Sequence, residues 1–262
     1  HYTSETNILK LIKPLFLDEL WKEFESIKDN KSKLSGFHKK LSTLKFLDPA
    51  CGCGNFLVIT YRELRLLELE ILRLLFASGQ RVIDVRDIIW LDVDMMYGIE
   101  YEEFPARIAE VAMWLIDHQM NMQLSNEFGQ YFVRLPLKKA ANIVHGNALQ
   151  IDWKDLIEKQ TIEIEANDTT VVLHEPSVEY TIVSIKTDNL TIIDERKSTA
   201  EKITIKNTFD YILGNPPFIG KSNQNTAQKA DMEKVFAGVK GSGVLDYVAA
   251  WYLKAAQLIQ NT

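Results

Sequence analysis

The sequence predicts an α/β fold built on a doubly wound, mostly parallel sheet that carries an inserted antiparallel β meander. Three observations predict it. Short apolar runs alternate with longer segments of helical periodicity, a glycine turn joins the first run to its helix, and a Thr/Val/Ile-rich stretch interrupts the alternation late in the chain. Repeated strand and helix units favour a parallel sheet whose ligand crevice lies at the carboxyl ends of its strands.

Residues 1–43 read as an N-terminal helical segment, and residues 44–262 as the core. The run "LKFLDPA" (Leu44 to Ala50) is a short apolar strand ending in an acid, a proline and glycines. Asn55 to Ala77 places apolar residues at helical spacing, which completes a strand, turn and helix. A second cycle follows, with "MMYGIE" (Met95 to Glu100) as strand and Pro105 to Met120 as helix, its proline in the first turn. "NIVHGNAL" (Asn142 to Leu149) and "FDYILG" (Phe209 to Gly214) are the third and fourth strands, and Val244 to Ile259 a closing helix. Thr161 to Asn207, alternating and punctuated by "AND" and "TDN", is the antiparallel insertion. Gly220 to Gly243 reads as a long polar loop whose Lys221, Lys229, Lys234 and Lys240 either solvate a surface or reach a phosphate backbone.

Composition sets the outer bounds. The chain has 262 residues, 46% of them hydrophobic, which is enough for one large core. No apolar run approaches the roughly 18 residues that a membrane span needs, and the first residues lack the pattern of a secretory signal. A cytoplasmic location is the default expectation. Cys51 and Cys53 are too close for an unstrained disulfide and too few for a structural zinc site, which points to a reducing compartment. A net charge of −6 does not by itself favour a polyanionic partner. The missing initiator Met, and a last helix running into Asn261 and Thr262, predict a piece of a longer polypeptide whose remainder carries the positive charge.

Two stretches carry chemistry. In "DPACGCGNF", Gly52 and Gly54 permit a tight turn at a helix start, where free amides and the helix dipole favour a carboxylate or phosphate. A dinucleotide fingerprint wants a further glycine where Leu57 stands. Glu100, closing the second strand, is placed to accept hydrogen bonds from ribose hydroxyls. These residues alone leave open an adenosine-type cofactor or a packing turn.

The second stretch is "GNPPFIGKS". Its Gly-Lys-Ser resembles a phosphate loop, but five residues separate Gly214 from Gly220, one too many. Two of them are prolines, which offer no N–H to a phosphate. The same residues suit an amine. Asn215 supplies a side-chain oxygen and Pro216 a carbonyl, held stiffly by Pro217, as acceptors for the two N–H groups of an exocyclic amine. Phe218 supplies a face on which an extruded base can stack, the other reading being a core aromatic.

In order, "DPACGCGNFL", "YGIE", "HGNAL" and "GNPPF" resemble the motifs of S-adenosylmethionine-dependent DNA adenine-N6 methyltransferases. The chain is most similar to the methyltransferase region of MmeI-like restriction-modification proteins, and "HYTSETNILK", "GKSNQ" and "LDYVAAWYLKAA" fit that group. The resemblance implies a Rossmann-like methyltransferase sheet, incomplete at its carboxyl end, because the family places further strands and a target-recognition domain beyond this point. It implies S-adenosyl-L-methionine as cofactor and double-stranded DNA as partner, contacted partly by regions outside this chain. Carried over residue by residue, Tyr2 and Thr3 lie near the methionine, and Asp48, Ala50, Gly52 and Gly54 around its amino acid end. Glu100 falls on the ribose, Tyr101 against the adenine face, and Asn147 with Ala148 at the adenine edge. Asn215, Pro216, Pro217 and Phe218 hold the target base. Many relatives carry Asp where this chain has Asn147, and a carboxylate accepts from an adenine amine better than an amide does. An amine methyltransferase acting on protein or RNA is the alternative, and the acidic charge suits a protein substrate.

Overall fold

The computed structural model describes residues 3–76, 88–128, 141–158, 172–175, 178–186, 189–194, 200–203 and 208–260. The chain divides into two compact units, His1–Leu156 with Phe209–Thr262, and Ile157–Thr208.

The first unit opens with three helices. α1 (Glu5–Ile12) passes through a single π-turn, Lys13–Leu17, into α2 (Asp18–Ile27). Pro14 lies in that turn, and a proline's missing N–H removes one rung of the regular helical ladder. The widened turn directs Phe16 inward, with its ring 5.2 Å from Phe46 and 4.8 Å from Tyr211. Asn30 caps α3 (Lys31–Ser42) by accepting from Lys33 N at 3.1 Å. Ile8, Ile12, Leu20, Leu34 and Leu41 join Phe46, Leu57, Leu64 and Met113 in one core, so the N-terminal helices and the sheet domain are packed together.

Four strands form the parallel sheet: β1 (Phe46–Asp48), β2 (Met96–Glu100), β3 (Asn142–His145) and β8 (Tyr211–Ile212). Their order is β3-β2-β1-β8, so the winding reverses between β1 and β8. Open parallel sheets bind ligands in the crevice at such a reversal, beyond the strands' carboxyl ends. The crossover from β1 to β2 contains α4 (Asn55–Phe76), and that from β2 to β3 contains α5 (Glu103–Phe128).

The helix α5 runs past its expected end at Met120. Beyond that point Asn121 and Ser125 are buried and bonded: Ser125 Oγ donates to the Asn121 carbonyl at 2.8 Å, and Asn121 Oδ1 accepts from Arg65 at 2.7 Å. Arg65 is the centre of a buried network among α3, α4 and α5. Its other nitrogens reach Tyr61 Oη at 2.7 Å and Asp117 Oδ1 at 3.0 Å, and form an ion pair with Glu68 at 2.9 Å. Glu68 Oε1 also accepts from His38 Nε2 at 2.7 Å and from the amides of Trp90 and Leu91 at 2.8 and 3.0 Å. Burial pushes the Glu68 carboxyl upward, but His38, Arg65 and the Leu91 amide outweigh it and hold Glu68 below its ordinary range.

After β3 comes the short helix α6 (Asp155–Glu158). The second unit contains β4 (Val172–Glu175), β5 (Val178–Lys186), β6 (Asn189–Asp194) and β7 (Ala200–Ile203), paired antiparallel in sequence order, with a register shift between Ile182 and Ser184.

The segment expected to be one long loop, Gly220 to Gly243, contains a helix, α7 (Thr226–Val235). Asn225 accepts from Gln228 N while the Gln228 side chain accepts from Asn225 N, a complete capping box. The closing helix α8 (Ala249–Gln260) starts later than its periodicity suggests. Leu245 is extended, and Asp246 Oδ1 accepts from Val248 N at 3.1 Å, which sets the helix start beyond it. Among the described residues, no helix is long and apolar enough to cross a membrane.

Candidate functional site

Asp48 ends β1 and is 1% exposed. Its Oδ1 accepts from Ala50 N at 3.0 Å, while Oδ2 is buried and has no hydrogen-bond partner among the described residues. Burial, reinforced by the nearby Glu100 carboxylate, pushes the Asp48 carboxyl up to about 7. The turn that follows is pinned to β2, with Cys51 N donating to the Ile99 carbonyl at 3.0 Å and Gly52 N to Glu100 Oε2 at 2.8 Å. Gly54 has φ +84°, and a Cβ there would lie 3.1 Å from Ala109 Cβ and 3.3 Å from its Cα. Only glycine lets α4 start this close to α5.

Glu100 closes β2 with both oxygens bonded, Oε2 to Gly52 N and Oε1 to Glu102 N at 3.0 Å. The Gly146 amide donates to the Glu100 carbonyl at 2.8 Å, drawing the loop after β3 alongside. Tyr101, next in sequence, is 66% exposed.

Beyond β3, Asn147 is engaged at both ends of its amide. Oδ1 accepts from Leu149 N at 2.9 Å and Nδ2 donates to Asp231 Oδ2 at 2.8 Å. Ala148 is buried, and its carbonyl accepts from Trp153 Nε1 at 2.9 Å and Lys254 Nζ at 2.8 Å. Burial pulls the Lys254 ammonium down to about 8, yet the carbonyls of Ala148 and Ile151 make it a fixed brace from α8.

The Asn-Pro-Pro-Phe segment leaves β8 beside this group. A Cβ on Gly214 would come within 2.3 Å of Asp48 Oδ1, so the fourth strand end fits against the first only with glycine at that position. Asn215 is exposed, and its Nδ2 donates to Thr3 Oγ1 at 3.2 Å, joining the N-terminal segment to this loop. That bond uses the amide's donor and leaves Oδ1 as an acceptor. Pro216 is half-buried, Pro217 exposed, and the Phe218 ring 70% exposed, which excludes a core role for that aromatic. Ile219 is held at both backbone groups: its N–H donates to Asp246 Oδ1 at 3.0 Å, and its carbonyl accepts from Tyr247 N at 3.0 Å and Gln224 Nε2 at 3.1 Å.

The structure therefore brings Thr3, Asp48, Ala50, Gly52, Gly54, Glu100, Asn147, Ala148 and Asn215 to Phe218 to one edge of the sheet, at the carboxyl ends of its four strands. Tyr2 lies outside the described residues. Sequence reasoning missed Asp231, Asp246, Tyr247 and Trp251, which brace this edge from α7, α8 and the turn preceding α8. Trp251 Nε1 donates to the Pro49 carbonyl at 3.0 Å, fixing the glycine turn from behind. The capping-box spacing of Asn225 and Gln228 was the available signal for α7.

Comparison with known proteins gives a consistent answer. The family model for the MmeI DNA-methyltransferase domain matches residues 24–262. The chain is 33% identical over 264 residues to DNA methyltransferase A of Bacillus subtilis (strain 168), covering all of this chain and 24% of that protein. It is 52% identical to the type IIL restriction-modification enzyme MmeI, solved in complex with DNA, with a TM-score of 0.78 over all of this chain and 29% of that one. The chain thus spans about a quarter of the length of each. Matched across nearly all its residues by one family model, it belongs to the MmeI DNA-methyltransferase domain family.

Proposed function

We propose that this chain is the methyltransferase region of a type II restriction-modification protein, and that it transfers a methyl group from S-adenosyl-L-methionine to N6 of an adenine flipped out of double-stranded DNA. The observation that carries the reading is the loop after β8: an exposed aromatic, Phe218, next to the acceptors of Asn215 and Pro216, at the reversal of the sheet.

The glycine turn fits the cofactor on two counts. Asp48 keeps a buried oxygen without a hydrogen-bond partner, suited to an ammonium at the amino acid end, and the Gly52 and Glu100 groups form a polar shelf suited to a ribose. When bound, S-adenosylmethionine supplies an electrophilic methyl on a sulfonium. Phe218 stacks the extruded base, while Asn215 Oδ1 and the Pro216 carbonyl accept from its two N–H groups and draw the nitrogen toward tetrahedral geometry. With that methyl donor bound, the amine nitrogen's lone pair would take up the methyl as its bond to sulfur broke, the electrons of that bond remaining on sulfur. The amine, now cationic, loses a proton to solvent, so no strong base is required. Sequence recognition, and the positive charge that −6 does not provide, belong to the rest of the polypeptide.

The test is to incubate the polypeptide that carries this chain with methyl-labelled S-adenosylmethionine and duplex DNA, then separate the nucleosides. Label in N6-methyl-2′-deoxyadenosine supports the proposal. Label in a cytosine, in RNA or in protein overturns it.

A further inference from the structure

Four hydrogen bonds connect the loop after β3 with the loop after β8. Asn147, after β3, donates to Asp231 Oδ2 at 2.8 Å; the same oxygen accepts from Tyr247 Oη at 3.0 Å; and Tyr247 N–H donates to the Ile219 carbonyl at 3.0 Å, next to Phe218. The other Asp231 oxygen accepts from Gln150 Nε2 at 2.9 Å. Asp231 and Tyr247 are each 6% exposed, so the path is shielded from water along its middle. The Tyr247 ring meets Trp251 edge-on at 5.1 Å, and Trp251 in turn holds Pro49 of the glycine turn.

We infer that Asp231 and Tyr247 are positioning residues that couple occupancy of the adenosine side of the site to the geometry of the target-base loop. The inference rests on the reading above, in which Asn147 lies at the cofactor's adenine edge and Asn215 to Phe218 hold the base. Asn147 has little freedom: moving its side chain toward a ligand moves a carboxylate that also holds Tyr247, whose backbone fixes Ile219. A buried network of this kind has few alternative arrangements, because each broken bond strands a polar group. It also accounts for the amide at position 147. An aspartate there would put a second carboxylate 2.8 Å from Asp231, where Asn147 donates instead.

Burial, with the adjacent Asp231 carboxylate, pushes the Tyr247 phenol well above its ordinary range and keeps it a donor.

The experiment uses the polypeptide that carries this chain, with S-adenosylmethionine. Hydrogen exchange of the Ile219 and Tyr247 amides is followed by fragmentation mass spectrometry with and without cofactor, and affinity is measured by calorimetry. In the wild-type chain, cofactor slows exchange at both amides by about tenfold. Tyr247→Phe keeps the fold, since it removes one hydroxyl, and abolishes that slowing while still binding cofactor. Asn147→Asp sets a second carboxylate against Asp231, so it weakens binding and loses the slowing. Binding with unchanged exchange at Ile219, or the same slowing in Tyr247→Phe, overturns the coupling and leaves the functional reading standing. No binding by the wild-type chain overturns the cofactor reading, and the coupling with it.

Discussion

Between α3, α4 and α5 the chain buries His38, Arg65, Glu68, Asp117 and Asn121, while at the strand ends it gathers Asp48, Glu100, Asn147 and Asn215. In the helical cluster every charge faces a partner of this chain: Arg65 is shared among Tyr61, Asp117, Asn121 and Glu68, and Glu68 also takes His38 and two amides. At the strand ends valences remain. Asp48 has a buried oxygen without a hydrogen-bond partner, Asn215 keeps its carbonyl oxygen, and Phe218 faces solvent. Buried polar groups with no partner in the chain cost stability, and such strained sites tend to be where function lies. The helical cluster thus acts as a fastening, and the strand-end cluster is the one the proposed function assigns to the site.

The largest expected effect lies at Arg65. Arg65→Met leaves Glu68 and Asp117 buried without their cation, and unfolding measured by denaturant should show a loss of about 3–5 kcal/mol. Asn215→Ala should do the reverse. It should leave the melting temperature unchanged and lower methyl transfer by about 10²–10³, the usual loss for one preorganised polar contact to a reacting group.

A subtler difference lies in pH. Burial raises the folded-state Asp48 carboxyl from 3.8 to about 7, so the folded chain holds that proton more tightly than the unfolded chain does. The contribution from Asp48 is most favourable below the unfolded value and declines as pH rises from about 4 to about 7, by at most about 1.4 kcal/mol per pH unit. Asp48→Asn should flatten that part of the stability profile. Glu68, with its carboxyl held low, has the opposite sign: its contribution is present above the unfolded value and is lost on acidification. A smaller effect is expected at Gly54→Ala, where the left-handed backbone and the contact with Ala109 should together cost about 1–3 kcal/mol in thermal or chemical denaturation.

The strand-end cluster was legible in the sequence because its information is local. Acid, proline and glycines after one apolar run, an acid after the next, and Asn-Pro-Pro-Phe after the last each announce a strand end within a few residues. The helical cluster was not legible, since Arg65 meets Asp117 and Asn121 across two long helices whose periodicity shows only which face is apolar. Nor was Asp231, which sits in a polar, lysine-rich stretch read as loop. Its partners Asn147 and Tyr247 are 84 and 16 residues away, and only folding shows them together. Cysteine spacing, by contrast, carried little: burial leaves Cys51 protonated and raises its thiol well above the usual range.

The claim that the open cluster is the cofactor site meets its most direct test in calorimetric titration of S-adenosylmethionine into this chain and into Glu100→Ala. The account predicts that the wild-type chain binds and that Glu100→Ala binds about 10- to 100-fold more weakly, as loss of charge-assisted hydrogen bonds implies. Equal affinities in the two would contradict it.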